Sequence, residues 1–140
     1  MKKYKNILLL VLIGFSLSSC YKEEYFLDDN VTSDGFHYPV IQLLSVDGNL
    51  TEGSSVNVMV QYFSNDPVKE LVLYAIENGV ESLKSTTPYV YSYDAEASAE
   101  IMTLNYTVAA GTSGTTVTLK VVVLTENGLS KEKTVKIDIL

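Results

Sequence analysis

The chain holds one histidine and one cysteine, and these are the first residues to weigh for chemistry. His37 stands in Gly35-Phe36-His37-Tyr38-Pro39. Nucleophilic catalysis of the Ser-His-Asp kind needs an imidazole beside both a nucleophile and an orienting acid. No spacing in the sequence places His37 in that way, so it reads as structural. A zinc site needs three or four Cys, His or carboxylate ligands, and one of each falls short. Asp28-Asp29-Asn30 with Asp34-Gly35 is the densest oxygen cluster. It lacks the alternating ligand positions and closing glutamate of a calcium loop, and reads as a solvated acidic linker. Glycoside hydrolysis by paired carboxylates needs a cleft between them, and no acid pair is singled out. These residues predict no catalytic centre, no metal and no cofactor.

Binding chemistry has a better candidate in Pro88-Tyr89-Val90-Tyr91-Ser92-Tyr93. In a strand Tyr89, Tyr91 and Tyr93 point the same way. An exposed row of tyrosines can stack on sugar rings or on a partner protein, with much area and little entropy loss. The alternative is that this face packs inward with its hydroxyls at the rim, since tyrosine is enriched in strands generally. The chain has no tryptophan, which weakens the glycan reading.

Cys20 lies in Leu17-Ser18-Ser19-Cys20-Tyr21-Lys22-Glu23-Glu24-Tyr25. With no second cysteine it cannot close an intramolecular disulfide, and its polar neighbours do not read as a core strand. Lys22 would lower the thiol pKa, but Glu23 and Glu24 oppose it. What precedes it is informative. Met1 to Asn6 carries three lysines and no acid, Ile7 to Phe15 is apolar throughout, and Ser16 to Ser19 is mostly small. That order is a secretory signal, and the apolar run is shorter than the roughly 20 residues of a membrane-spanning helix.

Leu17-Ser18-Ser19-Cys20 resembles the bacterial lipobox. The resemblance implies a signal at 1–19, cleavage before Cys20, and acylation of Cys20. A multiply acylated terminus holds a protein firmly where a single chain holds it marginally. Lys22, Glu23 and Glu24, with Asp28-Asp29 behind them, resemble the lipoprotein export signal of Bacteroidetes. That resemblance implies the outer membrane, with the domain facing the cell exterior; a periplasmic face is the alternative.

Charge narrows the partners. All ten basic residues are lysines, and loss of the signal leaves seven against seventeen acids, a formal charge of −10. Nucleic-acid binding needs cationic side chains to displace counterions from phosphate, so it is not expected. The same balance argues against docking on anionic lipid through a basic patch.

The elements that must position these residues are strands. Val56, Val58, Val60 and Tyr62 fall on one face of an alternating run; Met102, Leu104, Tyr106 and Val108 alternate with polar residues, and so then do Val135, Ile137 and Ile139. Period-2 runs of this kind predict half-buried strands. Val117 to Leu124 is β-branched and apolar enough for a central strand. Asn78-Gly79 and Asn127-Gly128 between apolar runs predict hairpins, the second with a longer loop. About seven strands result, near 40–46, 56–63, 70–76, 80–93 (broken), 100–108, 116–125 and 132–139. Ala95 to Glu100 has the composition of one helical turn. The fold class is all-β, a single β-sandwich at 39–140, reached from Cys20 by an acidic tether at 20–38.

Thr115 to Val123, Asn127-Gly128 and the final alternating strand resemble the last hairpin of bacterial immunoglobulin-like and PKD-like domains. The resemblance implies a Greek-key sandwich without the Cys…Trp…Cys core of antibody domains. Small lipoproteins of this form resemble accessory components of starch-utilisation-type nutrient uptake systems. The implied function is non-catalytic: an accessory or binding subunit docking on an outer-membrane β-barrel transporter and its companion lipoproteins. A stand-alone glycan- or peptide-binding module and a structural or adhesive surface protein are the alternatives.

Overall fold

Alternation along the chain becomes two antiparallel sheets packed face to face. The computed structural model describes residues 30–140; Cys20, Lys22, Glu23 and Glu24 lie outside the described residues. Eight strands follow: β1 (Val40–Asp47), β2 (Ser55–Phe63), β3 (Val68–Glu77), β4 (Val80–Pro88), β5 (Tyr93–Asp94), β6 (Ala99–Thr107), β7 (Thr116–Thr125) and β8 (Ser130–Asp138). One sheet has the order β1-β2-β6-β5 and the other β4-β3-β7-β8. The described residues therefore form an all-β sandwich.

The inward faces are those the alternation marks. Val56, Val58, Val60 and Tyr62 of β2 are buried, and so are Met102, Leu104 and Tyr106 of β6. They meet Leu71, Leu73 and Ala75 of β3 and Val117, Leu119, Val121 and Val123 of β7 across the sandwich. Polar contacts also join the layers. Tyr106 Oη donates to Glu77 Oε1 at 2.6 Å, and Lys84 Nζ donates to Glu77 Oε2 at 2.9 Å. Desolvation alone would raise the Glu77 carboxyl, but these two donors outweigh it and hold the pKa below its ordinary value. The open side is closed by Lys133 of β8, whose ammonium donates to the carbonyls of Ile41 and Gln42 at 3.3 and 2.7 Å. That is where β1 bulges, between Ile41 and Leu43.

Turn chemistry sets the hairpins. Glu77 pairs with Val80, leaving Asn78 and Gly79 as a two-residue loop with φ of 50° and 79°. Both left-handed residues match the right-handed strand twist, which is why Asn-Gly works here. The β7–β8 loop is longer, as expected. Thr125 N–H donates to the Leu129 carbonyl, and Asn127 Oδ1 accepts from the Leu129 amide inside the loop. Gly48, at φ 134°, comes against Val56, where a Cβ would sit 3.2 Å from the Val56 backbone.

Two local expectations change. The broken strand at 80–93 is two strands, β4 and the two-residue β5, joined by a segment that leaves one sheet for the other. The run Ala95 to Glu100 is not a helical turn: residues 95–98 form a hydrogen-bonded turn and β6 begins at Ala99. Asp94 Oδ1 accepts from the amides of Glu96 and Ala97, each at 2.9 Å, so an aspartate side chain shapes the turn.

Candidate functional site

Strand ends gather the polar residues at one end of the sandwich. The loop 64–67 between β2 and β3, the crossover 89–92, the loop 126–129 and the entering segment 30–38 all lie there, because Phe63, Val68, Pro88, Ala99 and Thr125 are strand ends on that side. The entering segment is a short hook: Val31 bridges His37, and the amides of Thr32 and Gly35 close the turn between them.

Asp66 ties this end together. Its Oδ2 accepts from the His37 amide at 2.6 Å and from Asn127 Nδ2 at 3.0 Å. His37 Nδ1 lies 3.8 Å from Asp66 Oδ1. The Glu126 amide donates to the Pro67 carbonyl at 2.8 Å. The sole histidine thus helps clamp the entering chain to the β2–β3 loop.

Between these loops is a cleft of about 330 Å³. Its walls include Tyr62, Pro67, Val68 and Tyr89, and three carboxylates border it, Asp66, Glu100 and Glu126. Glu100 pairs with Tyr62 across β6 and β2 and shares the inward parity of Met102, Leu104 and Tyr106. A carboxylate stands where the alternation places a core residue. It is satisfied by Tyr89 Oη at 3.1 Å and by the Ser92 amide and hydroxyl at 2.7 and 3.0 Å. Tyr62 Oη donates to the Met102 sulfur at 3.5 Å. Burial first, then the Glu100 charge, pushes the Tyr62 phenol well above its ordinary pKa. Burial and the bond to Glu100 push Tyr89 up in the same direction. Both rings stay neutral at physiological pH. Among the described residues no group of three His, Cys, Asp or Glu side chains is placed to hold a metal ion.

The tyrosine row divides. Residues 89–92 are not a strand, so Tyr89, Tyr91 and Tyr93 do not form one face by alternation. Tyr89 turns into the cleft wall, half-buried and packed on the core. Tyr91 is 74% exposed and Tyr93 48% exposed beside it. Tyr62, Asp66, Glu100 and Glu126 were not marked by the sequence as site residues. Asp66 reads only as a turn in Asn65-Asp66-Pro67; Glu100 could have been found from its inward parity.

A second surface lies on the outer face of the sheet β4-β3-β7-β8. Val72, Tyr74 and Ile76 of β3 lie beside Val122 and Leu124 of β7, all half-buried. Leu83 of β4, 59% exposed, extends the stripe. Lys120 crosses it, 4.7 Å over the Tyr74 ring, and its Nζ donates to both Glu81 oxygens at 2.7 Å.

The chain matches no protein-family model and no curated protein sequence. It is similar in structure to wild-type OgpA from Akkermansia muciniphila, with a TM-score of 0.51 at 12% identity, over 79% of this chain and 31% of that one. It is also similar to the glycoside hydrolase domain of Endo-D, Spr0440, from Streptococcus pneumoniae R6, with a TM-score of 0.47 at 21% identity, over 76% of this chain and 16% of that one. The chain spans less than a third of either protein, so the likeness to OgpA speaks to a shared sandwich and no further.

Proposed function

We propose that this chain is a non-catalytic outer-membrane lipoprotein, anchored through Cys20 and facing the cell exterior. It serves as an accessory or binding subunit of a starch-utilisation-type nutrient uptake complex. Its sandwich is of the immunoglobulin-like Greek-key kind. The strand orders β1-β2-β6-β5 and β4-β3-β7-β8 support that topology, because they correspond to an ABED sheet facing a C′CFG sheet.

One observation carries the functional reading. The chain enters the sandwich at the end that holds the cleft and the exposed tyrosines, with His37 clamped to Asp66. From Cys20 to Asn30 an extended chain reaches at most about 35 Å. An acylated Cys20 would therefore keep this end near the membrane surface, where it can meet a membrane-embedded partner. The segment Lys22, Glu23 and Glu24 supports export to the outer face, as its resemblance implies.

The test is a pull-down of the tagged, lipidated chain from detergent-solubilised membranes, read by mass spectrometry. A stoichiometric outer-membrane β-barrel is the expected companion. Recovery of the chain alone would sink the subunit reading and leave a stand-alone surface binder.

A further inference from the structure

We propose that Asn78 is a site of spontaneous covalent modification, converting through a cyclic imide with Gly79 to aspartate and isoaspartate, while the fold protects Asn127 in the same Asn-Gly dipeptide. The inference goes beyond the anchored-subunit reading and does not depend on it.

The chemistry needs only water. The glycine amide nitrogen attacks Cγ of the preceding asparagine, where a missing Cβ leaves the approach open. The new N–C bond closes a five-membered ring, the Cγ–Nδ2 bond breaks, and the glycine's amide proton leaves with that nitrogen as ammonia. Water then opens the ring. Opening at Cγ gives aspartate; opening at the main-chain carbonyl gives isoaspartate, whose backbone is longer by one carbon. The reaction requires a glycine nitrogen free to attack and a carboxamide free to turn toward it.

Asn127-Gly128 meets neither requirement. The Gly128 amide donates to the Thr125 carbonyl at 3.1 Å. Asn127 Nδ2 donates to Asp66 Oδ2 at 3.0 Å, and its Oδ1 accepts from the Leu129 amide at 3.2 Å and from the Thr125 hydroxyl. The loop is tied again where the Glu126 amide donates to the Pro67 carbonyl at 2.8 Å.

Asn78-Gly79 meets both. Asn78 is exposed, and among the described residues neither its carboxamide nor the Gly79 amide has a hydrogen-bond partner. A Cβ at Gly79 would meet nothing within 4 Å, so the turn stands clear of its surroundings. It is the tip of a hairpin whose strand β4 is a sheet edge, and such a tip can open locally while the core stays closed.

The products act on the hairpin. The two-residue loop closes on the Glu77–Val80 pair, and loop length fixes strand register; isoaspartate lengthens that loop by one atom. Either product sets a new carboxylate next to Glu77, the acceptor for Tyr106 and Lys84.

The experiment incubates the full chain, purified as the cell makes it, in 18O-water at mildly alkaline pH, folded and in guanidinium chloride. Peptide mapping by mass spectrometry follows both asparagines. In denaturant the two positions are expected to convert at similar rates. In the folded chain position 78 is expected to outpace position 127 by at least about tenfold, because each hydrogen bond that must break first slows the reaction roughly fivefold. The product at 78 carries one 18O atom and separates into two isomers, and the converted chain unfolds at a lower denaturant midpoint. Similar rates at the two positions of the folded chain, faster conversion at 127, or a position 78 that converts in denaturant but not in the folded chain would each overturn the assignment. The measurement needs no transporter partner, so its outcome is independent of the pull-down.

Discussion

Replacing Tyr106 with phenylalanine isolates the polar tie that joins β6 of one layer to β3 of the other. The ring sits 1% exposed in the core, and Phe fills the same space, so no cavity opens. What is lost is the 2.6 Å bond to the Glu77 carboxylate. A hydrogen bond to a charged group contributes about 1.5–3 kcal/mol. Glu77 is not stranded, because Lys84 remains at 2.9 Å, and its partial contact with water discounts the figure toward the low end. The expected loss is about 1.5 kcal/mol at pH 7, roughly tenfold in the folding equilibrium.

The loss has a pH signature. The folded pKa of Glu77 is depressed from 4.5, so its contribution is present above that value and fades as the pH falls through the folded pKa. The Tyr106 phenol is raised above 10.0, by burial first and then by its bond to Glu77. Its contribution is intact below pH 10 and fades as the pH rises further. The gap between wild type and Tyr106→Phe should therefore be widest from about pH 5 to pH 9 and narrow on both sides. Urea unfolding followed by far-ultraviolet circular dichroism at pH 3.5, 7 and 10.5 measures it. A gap below about 0.5 kcal/mol at pH 7, or one that does not change with pH, would refute the reasoning.

Two further substitutions probe the frame. Leu73→Ala removes a fully buried side chain from the centre of β3 and should cost about 2–5 kcal/mol in urea unfolding; a smaller cost would mean that the two sheets are not packed on Leu73. Gly79→Ala puts a side chain at φ 79° in open space, so the cost is conformational alone, about 1 kcal/mol. An unchanged unfolding midpoint would show that the β3–β4 turn is not left-handed there.

Much of this frame was legible in the sequence because each signal is local. Val56 to Tyr62 and Met102 to Val108 alternate cleanly, since one face of each strand meets water. Asn78-Gly79 names its own turn. β3 and β7 are harder: Leu71 to Ile76 and Val121 to Leu124 are apolar in both parities, and only the fold shows that the second parity forms an outer stripe at Val72, Tyr74, Val122 and Leu124. The break in 80–93 was visible, but not that its second half crosses to the other sheet. The cleft was not legible. Asp66 and Asn127 lie far apart in the chain yet touch at 3.0 Å, and only closure of the sandwich brings them together. Tyr89, Tyr91 and Tyr93 were grouped by a period-2 rule that fails where the strand ends at Pro88.

The central claim is that the tethered end, with its cleft and exposed tyrosines, meets a membrane-embedded partner. The chain has a single cysteine, and under this account Cys20 is acylated, so an introduced cysteine is the only free thiol. The direct measurement is thiol cross-linking on intact cells from Tyr91→Cys at the tethered end, compared with Asn49→Cys in the exposed β1–β2 loop at the far end. The account predicts an adduct with an outer-membrane β-barrel protein from position 91 and none from position 49. Capture of the same partner from position 49 alone, or from neither position, would contradict it.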